Sequence, residues 1–575
     1  MAEEAISKPI HDVQVDRHVS VPMRDGTILR ADVYRPTAEG QYPVVLERVA
    51  YELIDRCTVN GEFFAQHGYV FVGQSVRGRF GSGGRFEPMR DDAWGANQDG
   101  YDSVEWAGAQ PWSDGNVGMA DGSYSGLTQY LVAPTRPPHL KALFARQADT
   151  GWYGGHNYRG GAHDLGRRRE WALKQTLIQL EHETAPPGTE EARERLSKAV
   201  DEIETWYWHL PLKSCPPLEG LADWYFDILE HPEDGPYWQP VDIVPMFAEI
   251  DVPIYHLGGW FDMFVKGTLR AFQGIREQGR TAACRQAQRV TIGPWVHGQS
   301  NIGRQRTSEL DFGPAAAFDQ REHWLRWYDY WLKGVDTGIM ELPPVRVFLM
   351  GANRWLDLTV WPPPDVTYQP IYFREGTGQT EASLNSGGLT FAAPAAAEQP
   401  DSFVYDPADP VRSLIKGQEL WPTDHRPVEG QMLTYTSDVL ERDVTVVGPV
   451  KAILHALSSA PDTDWVVRLC DVWPDGRSMS VCDGILRSRY RNSLARAELM
   501  TPGQLYQLEV ELTPTAQVFQ TGHRMRVEVT SSDFPRADRN LNTGGPFGEE
   551  VQGQAAVNTI FHDAMRPSQL VLPIS

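Results

Sequence analysis

Four short apolar runs, Val44-Val45-Leu46, Tyr69-Val70-Phe71-Val72, Val117-Gly118-Met119-Ala120 and Ala142-Leu143-Phe144-Ala145, punctuate the first quarter of the chain. Each is too short for a helix and lacks polar alternation, which predicts a strand buried on both faces. Helical stretches such as Asp102 to Ala109 lie between some of them. Strands alternating with helices imply a parallel sheet covered by helices on both faces. The pattern then breaks off. Leu165 to Leu180, Glu190 to Trp206 and Leu221 to Glu230 read as helices with no convincing strand between them. The strand signal resumes at Ile254-Tyr255-His256-Leu257 and Val290-Thr291-Ile292, so the helices form an insertion within one α/β unit. Phe318 to Leu332 closes that unit as an amphipathic helix capped by Gly334.

After about residue 341 the helices largely vanish. Tyr506 to Leu512 and His523 to Val529 alternate as half-buried antiparallel strands do, and Val345 to Met350 and Val444 to Leu457 add further strands. Ala392 to Pro400 reads as a loop. The last part therefore suggests a β-sandwich. The expected division is residues 1–150 and 245–340 for the α/β unit, 151–244 for a helical cap and 341–575 for the sandwich. A length of 575 residues is compatible with three or four domains of ~150 residues each.

The formal charge is −23, an acidic balance that repels phosphate backbones and anionic lipid heads. Nucleic acid and membrane surfaces are therefore not expected partners. No run approaches the ~20 apolar residues of a membrane span. The start, MAEEAISKPIHDVQVDR, lacks the apolar core of a secretory signal. Cys57, Cys215, Cys284, Cys470 and Cys482 are few, odd in number and widely spaced, which predicts free thiols and a cytoplasmic location.

The sharpest local feature is Asn116 to Tyr130, NVGMADGSYSGLTQY, where a strand meets a turn of small residues holding a serine and a helix follows. That is the setting of a nucleophile elbow. The tight turn pushes the Ser123 hydroxyl into the open and aims the first helix amides, that of Tyr124 among them, at a forming oxyanion. A serine hydroxyl needs a base, itself oriented by a third group. Asp262 follows the strand at 254–259, and His297 follows the strand at 290–293. Catalytic groups of parallel sheets gather at the carboxyl ends of strands, and the order Ser, Asp, His is that of an α/β-hydrolase. Ser125 is the rival nucleophile, worse placed because a helix begins around it. His156 and His163, seven apart in a Gly-rich stretch, read as a solvated loop rather than metal ligands. The Gly-rich stretch Arg77 to Gly84 lacks a Gly-Lys-Ser/Thr ending and reads as a loop. No metal or organic cofactor is expected.

The sequence resembles the bacterial cocaine esterases and their relatives, the X-Pro dipeptidyl-peptidases and α-amino-acid ester hydrolases. The resemblance runs from Val21-Pro22-Met23-Arg24-Asp25-Gly26 through Gly115 to Met119, and on to Asp533-Phe534-Pro535 and Asn542-Thr543-Gly544-Gly545. The family motifs G-x-S-Y-x-G, GGWxD and GPWxH fall on Ser123, Asp262 and His297. The resemblance implies that Tyr51 supplies an oxyanion hydroxyl beside the Tyr124 amide. It also implies an α/β-hydrolase domain, an inserted helical cap and a C-terminal jelly roll. One position departs: the first elbow glycine is Asp121 here, expected to point outward into a hydrogen bond, the alternative being a distorted elbow with altered activity.

Trp152, Phe261 and Phe264, with Tyr153 and Trp260, are candidates for the substrate pocket. Relatives that grip a free α-amine need carboxylates, for which the cap offers Asp164, Glu170, Asp223 and Asp227. The expected activity is a serine carboxylesterase acting on a small-molecule ester with a hydrophobic or aromatic acyl group. An amino-acid ester hydrolase, acylase or dipeptidyl-peptidase acting on an amide is the alternative. A binding protein on a hydrolase scaffold comes third, and homo-oligomerisation is left open.

Overall fold

The computed structural model describes residues 6–376, 383–414 and 422–575. In its first part, β1 (Val13–Pro22), β2 (Ile28–Pro36), β3 (Tyr42–Val49), α1 (Leu53–Gln66), β4 (Val70–Ser75), α2 (Asp99–Gly108), β5 (Ser113–Met119), α3 (Tyr124–Val132) and β6 (Leu140–Arg146) follow in order. A small hairpin, β7 (Tyr158–Arg159) and β8 (Ala162–His163), opens the insertion, which continues as α4 (Leu165–Glu181), α5 (Glu190–Asp201), α6 (Ile203–Trp208) and α7 (Asp223–Glu230). The α/β pattern resumes with β9 (Ile254–Phe261), α8 (Val265–Gln278), α9 (Ala282–Ala287) and β10 (Arg289–Val296). A second hairpin, β11 (Arg306–Thr307) and β12 (Leu310–Asp311), leads to α10 (Gln320–Lys333), β13 (Val345–Leu349) and β14 (Arg354–Leu358).

Ten strands form one sheet in the order β1-β2-β4-β3-β5-β6-β9-β10-β13-β14. The centre, from β4 to β13, is parallel, as the buried apolar runs predict. The edges are not: β1, β2 and β14 pair antiparallel. Alternate residues serve opposite faces. Val44, Leu46, Val70 and Val72 pack with Leu127, Leu131 and Ile275 of α3 and α8. Val45, Val49 and Phe71 pack with Phe64 of α1 and Trp324 and Tyr328 of α10. Gly334 ends α10 in the left-handed region at φ 70°, the conformation its side-chain-free backbone favours.

Three local expectations need correction. Val345–Leu349, expected to add a strand to the sandwich, instead pairs in parallel with β10 at the side of the hydrolase sheet. The stretch from Glu190 to Trp206 is two helices, with Glu202 between α5 and α6. The strand near His523 to Val529 (Arg524–Thr530) is buried on both faces, flanked by two strands. Its charged side chains meet partners instead of water: Arg526 pairs with Glu429, and Glu528 with Arg468 and His425.

Among the described residues, thirteen strands between Thr367 and Ile574 make the C-terminal β-sandwich. Tyr506–Glu511 pairs antiparallel with Lys451–Ser458 and alternates buried and exposed residues, as expected. The sandwich grips both other parts. Met350, just past β13, exchanges backbone hydrogen bonds with Ala516 and Val518. In the cap, the Gly166 amide donates to the Pro535 carbonyl at 2.8 Å and the His163 amide donates to the Asp538 carboxylate at 2.7 Å. No helix among the described residues is long and apolar enough to cross a membrane. All five cysteines are buried and free.

Candidate active site

Four parallel strands deliver four polar residues to one edge of the sheet. Tyr51 lies just past β3, Ser123 past β5, Asp262 past β9 and His297 past β10. His297 Nε2 lies 3.0 Å from Ser123 Oγ, and His297 Nδ1 lies 2.6 Å from Asp262 Oδ2. Asp262 is wholly buried, and its other oxygen accepts the Phe264 amide at 2.7 Å. An ionised carboxylate only accepts, so it draws the imidazole proton to Nδ1 and leaves Nε2 to accept from the serine hydroxyl. The loop carrying His297 is fixed from behind: Gln147 donates to the Val296 carbonyl at 2.8 Å and accepts the Gly298 amide at 2.9 Å.

The turn that carries Ser123 is strained. Ser123 sits at φ 61°, ψ −121°, a region rarely occupied by residues with a side chain. Its amide is held by the carbonyls of Arg146 at 3.0 Å and Gln147 at 3.2 Å, so the end of β6 clamps the turn. That closeness explains the small neighbours. A Cβ on Gly122 would strike the Arg146 carbonyl, and one on Gly126 would lie 2.9 Å from it. Tyr124 is the first residue of α3, so its amide has no intrahelical partner and remains available to a ligand.

Asp121 does not reach solvent. It is wholly buried at φ 77°, paired with Arg146, with Arg56 at 3.0 Å from its carboxylate. The guanidinium of Arg56, followed by that of Arg146, overcomes the cost of burial and keeps the Asp121 carboxyl below the usual range. Glu47 beside it is driven the other way, up, by burial and by the Asp121 charge. Asp121 thus turns its charge inward into a cationic cage, and the turn keeps its shape. The rival Ser125 hydroxyl is buried and donates to Glu47 at 3.2 Å, so it is committed elsewhere.

The pocket beside Ser123 is narrow, about 20 Å³, and contains Tyr51, Tyr124, Trp152 and Phe264 among its walls. Phe264 stands edge-on to His297, with ring centres 5.3 Å apart. Phe261 is not there. It turns to a separate cavity against Phe312, because as the last residue of β9 its side chain follows the strand's alternation to the other side. Trp260 packs on Trp361 and donates to the Phe348 carbonyl, and Tyr153 stacks on Tyr158, so neither joins the pocket.

Sequence reasoning missed His156, Arg167, Arg168, Trp171 and Met263, all of which line the pocket. The solvated loop expected around His156 and His163 is buried at both residues. One signal was present: Arg167-Arg168-Arg169 are the third to fifth residues of α4, and cations near a helix start oppose its dipole. The four acids considered for an amine are engaged elsewhere. Asp164 pairs with Arg167 at 2.6 Å, Glu170 with Lys174, Asp223 with Arg85 at 3.4 Å, and Asp227 lines another cleft. No carboxylate among the described residues lines the Ser123 pocket.

Residues 25–299 match the X-Pro dipeptidyl-peptidase (S15 family), and residues 337–571 match the X-Pro dipeptidyl-peptidase C-terminal non-catalytic domain. The cocaine esterase of Rhodococcus sp. (strain MB1 Bresler) is 35% identical over 97% of this chain and 98% of its own length. The chain belongs to the cocaine esterase family. As a member of that family it is a serine hydrolase, with an α/β-hydrolase domain and a β-rich C-terminal domain. Within the wider set of folds related to the cocaine esterase family, an α-amino acid ester hydrolase superposes with a TM-score of 0.80 at 26% identity, covering 98% of this chain and 97% of that one. An aminopeptidase from a marine-sediment Thaumarchaeota archaeon shares the fold, with a TM-score of 0.80 at 24% identity over 99% of this chain and 97% of its own.

Proposed function

We propose that the protein is a carboxylesterase whose nucleophile is Ser123, with His297 as general base and Asp262 as the group that orients it. The observation that carries this reading is the unbroken chain of hydrogen bonds from Ser123 Oγ to His297 and on to Asp262, at 3.0 and 2.6 Å. His297 takes the serine proton as Oγ attacks the ester carbonyl, and Asp262 stabilises the imidazolium. The tetrahedral oxyanion accepts hydrogen bonds from the Tyr51 hydroxyl and the Tyr124 amide. His297 then protonates the departing alcohol, and the same groups activate water against the acyl-enzyme. The rings of Trp152, Trp171 and Phe264 make an apolar bed for the part of the substrate that enters the pocket.

Recognition of a free α-amine, as in an amino-acid ester hydrolase or X-Pro dipeptidyl-peptidase, is disfavoured. The pocket presents Arg167 and Arg168 where such a substrate needs carboxylates. The test is fluorophosphonate labelling of the wild type and Ser123→Ala, followed by a screen of aryl esters, α-aminoacyl esters and Xaa-Pro anilides. Capture at Ser123 with turnover of aryl esters is expected. Labelling that persists in Ser123→Ala, or a preference for aminoacyl esters, overturns the reading.

A further inference from the structure

Two polar side chains in the Ser123 pocket have no partner, and the mechanism above uses neither. Arg168 is 5% exposed, and its Nε and Nη1 make no hydrogen bond. It forms no ion pair among the described residues, because Asp164, the acid whose field reaches it, is engaged by Arg167 at 2.6 Å. The Arg168 guanidinium rests instead on the rings of Trp152 and Trp171, at 5.4 and 5.2 Å. Burial, then the charge of Arg167, pushes it down to about 9, which leaves it charged at neutral pH. His156 is 2% exposed, and neither ring nitrogen has a partner. It lies between Trp152 and Phe264, with ring centres 4.6 and 4.1 Å away. Burial and the two arginines hold it well below its usual range, as a neutral imidazole with one N–H to donate.

A buried cation without a counter-charge is strongly disfavoured, and proteins rarely keep one. Here the cost is retained beside a nucleophile. An apolar acyl group alone would leave both side chains unpaired, and an ammonium would meet a like charge. A carboxylate satisfies both, since it only accepts and both neighbours donate. Arg167 differs: its Nη2 is taken up by Asp164 and by the carbonyls of Gly155 and His156.

Resting on the esterase reading, we infer that the substrate is an anionic ester, whose carboxylate is bound by Arg168 and His156 while its apolar stem lies on Trp152, Trp171 and Phe264. A monoester of a dicarboxylic acid carries that carboxylate on the acyl side, and an ester of a hydroxy acid carries it on the alcohol side.

Two matched pairs separate these sources: p-nitrophenyl hydrogen glutarate against p-nitrophenyl hexanoate, and para-carboxyphenyl acetate against phenyl acetate. The wild type should favour the charged member of one pair in kcat/KM. Arg168→Gln should lower that preference by about 10- to 100-fold, the worth of a hydrogen bond to a charged group, and Arg168→Lys should keep part of it. A wild type that favours the neutral member of both pairs, or a preference unchanged in folded Arg168→Gln, overturns the inference. Should Arg168→Gln not fold, the thermal midpoint of Ser123→Ala decides. A rise with the charged ester and not its neutral partner supports the inference, and equal rises refute it. Absence of both turnover and fluorophosphonate capture by the wild type would instead sink the esterase reading.

Discussion

The Asp121 carboxylate and the Arg146 guanidinium pair with each other at 0% and 1% side-chain exposure, two residues ahead of the serine in the strained turn. Arg56 completes the cage at 3.0 Å. Asp121→Ala would leave Arg146 buried and uncompensated, a loss of ~3–5 kcal/mol in folding stability. Asp121→Asn, which keeps hydrogen-bonding capacity, should lose less. Urea denaturation of the three proteins checks the order, and equal stability of Asp121→Ala and wild type would contradict it.

Tyr51 lines the Ser123 pocket with a half-buried ring standing edge-on to Tyr124 at 6.3 Å. Removing one oxyanion donor typically lowers turnover by ~10²–10³. Tyr51→Phe should lower kcat for an aryl ester by that factor while the denaturation midpoint stays put. A fall in KM affinity with kcat preserved would assign the hydroxyl to ground-state binding instead.

Asp149 should make stability depend on pH. Burial drives its carboxyl up to about 7, against the pull of the Thr150 amide 2.7 Å away. An unfolded Asp titrates near ~3.9, so above that pH the unfolded chain has lost a proton that the folded one keeps. Folding stability contributed by this group therefore falls as pH rises from ~4 to ~7, then levels off, by at most about 4 kcal/mol. Asp149→Asn should flatten that part of the profile. Denaturation curves across the window measure it, and an unchanged slope in the variant would count against the assignment.

Met263 borders two spaces, the narrow pocket of about 20 Å³ at Ser123 and a larger cavity of about 200 Å³ that also touches Asp149. It contributes to the lining of both, with an unbranched side chain that can be truncated. Met263→Ala should join the two and raise kcat/KM for long acyl chains relative to acetyl by about tenfold, the scale of one or two methylenes in an apolar pocket. A chain-length series of p-nitrophenyl esters reads this out, and an unaltered profile would show that the wall lies elsewhere.

The residues that the sequence made legible are those whose position follows from the strand they end. Ser123, Asp262 and His297 each sit just past a buried strand, so their convergence at one sheet edge follows from parallel topology. What it hid depends on partners far along the chain. Phe261 and Phe264 both lie within two residues of Asp262, but the first still obeys β9 and the second already heads α8. Val345–Leu349 is a strand in either domain, and only its pairing with β10 decides which. Arg168 looks like one more cation on a cap helix until the described fold leaves it without an acid. Asp121 reads as an outward-pointing departure from a glycine turn until Arg56 and Arg146 arrive from α1 and β6.

The grip of Pro535 and Asp538 on the start of the cap has a consequence for how the protein comes into being. Ribosomes release the hydrolase half first, with Ser123 and Asp262 present before the midpoint of the 575 residues and His297 just after it. The helix turn holding Arg167 and Arg168 then waits, unbuttressed, for more than two hundred further residues. The nascent chain thus carries Ser123, Asp262 and His297 long before the segment that braces the start of the cap.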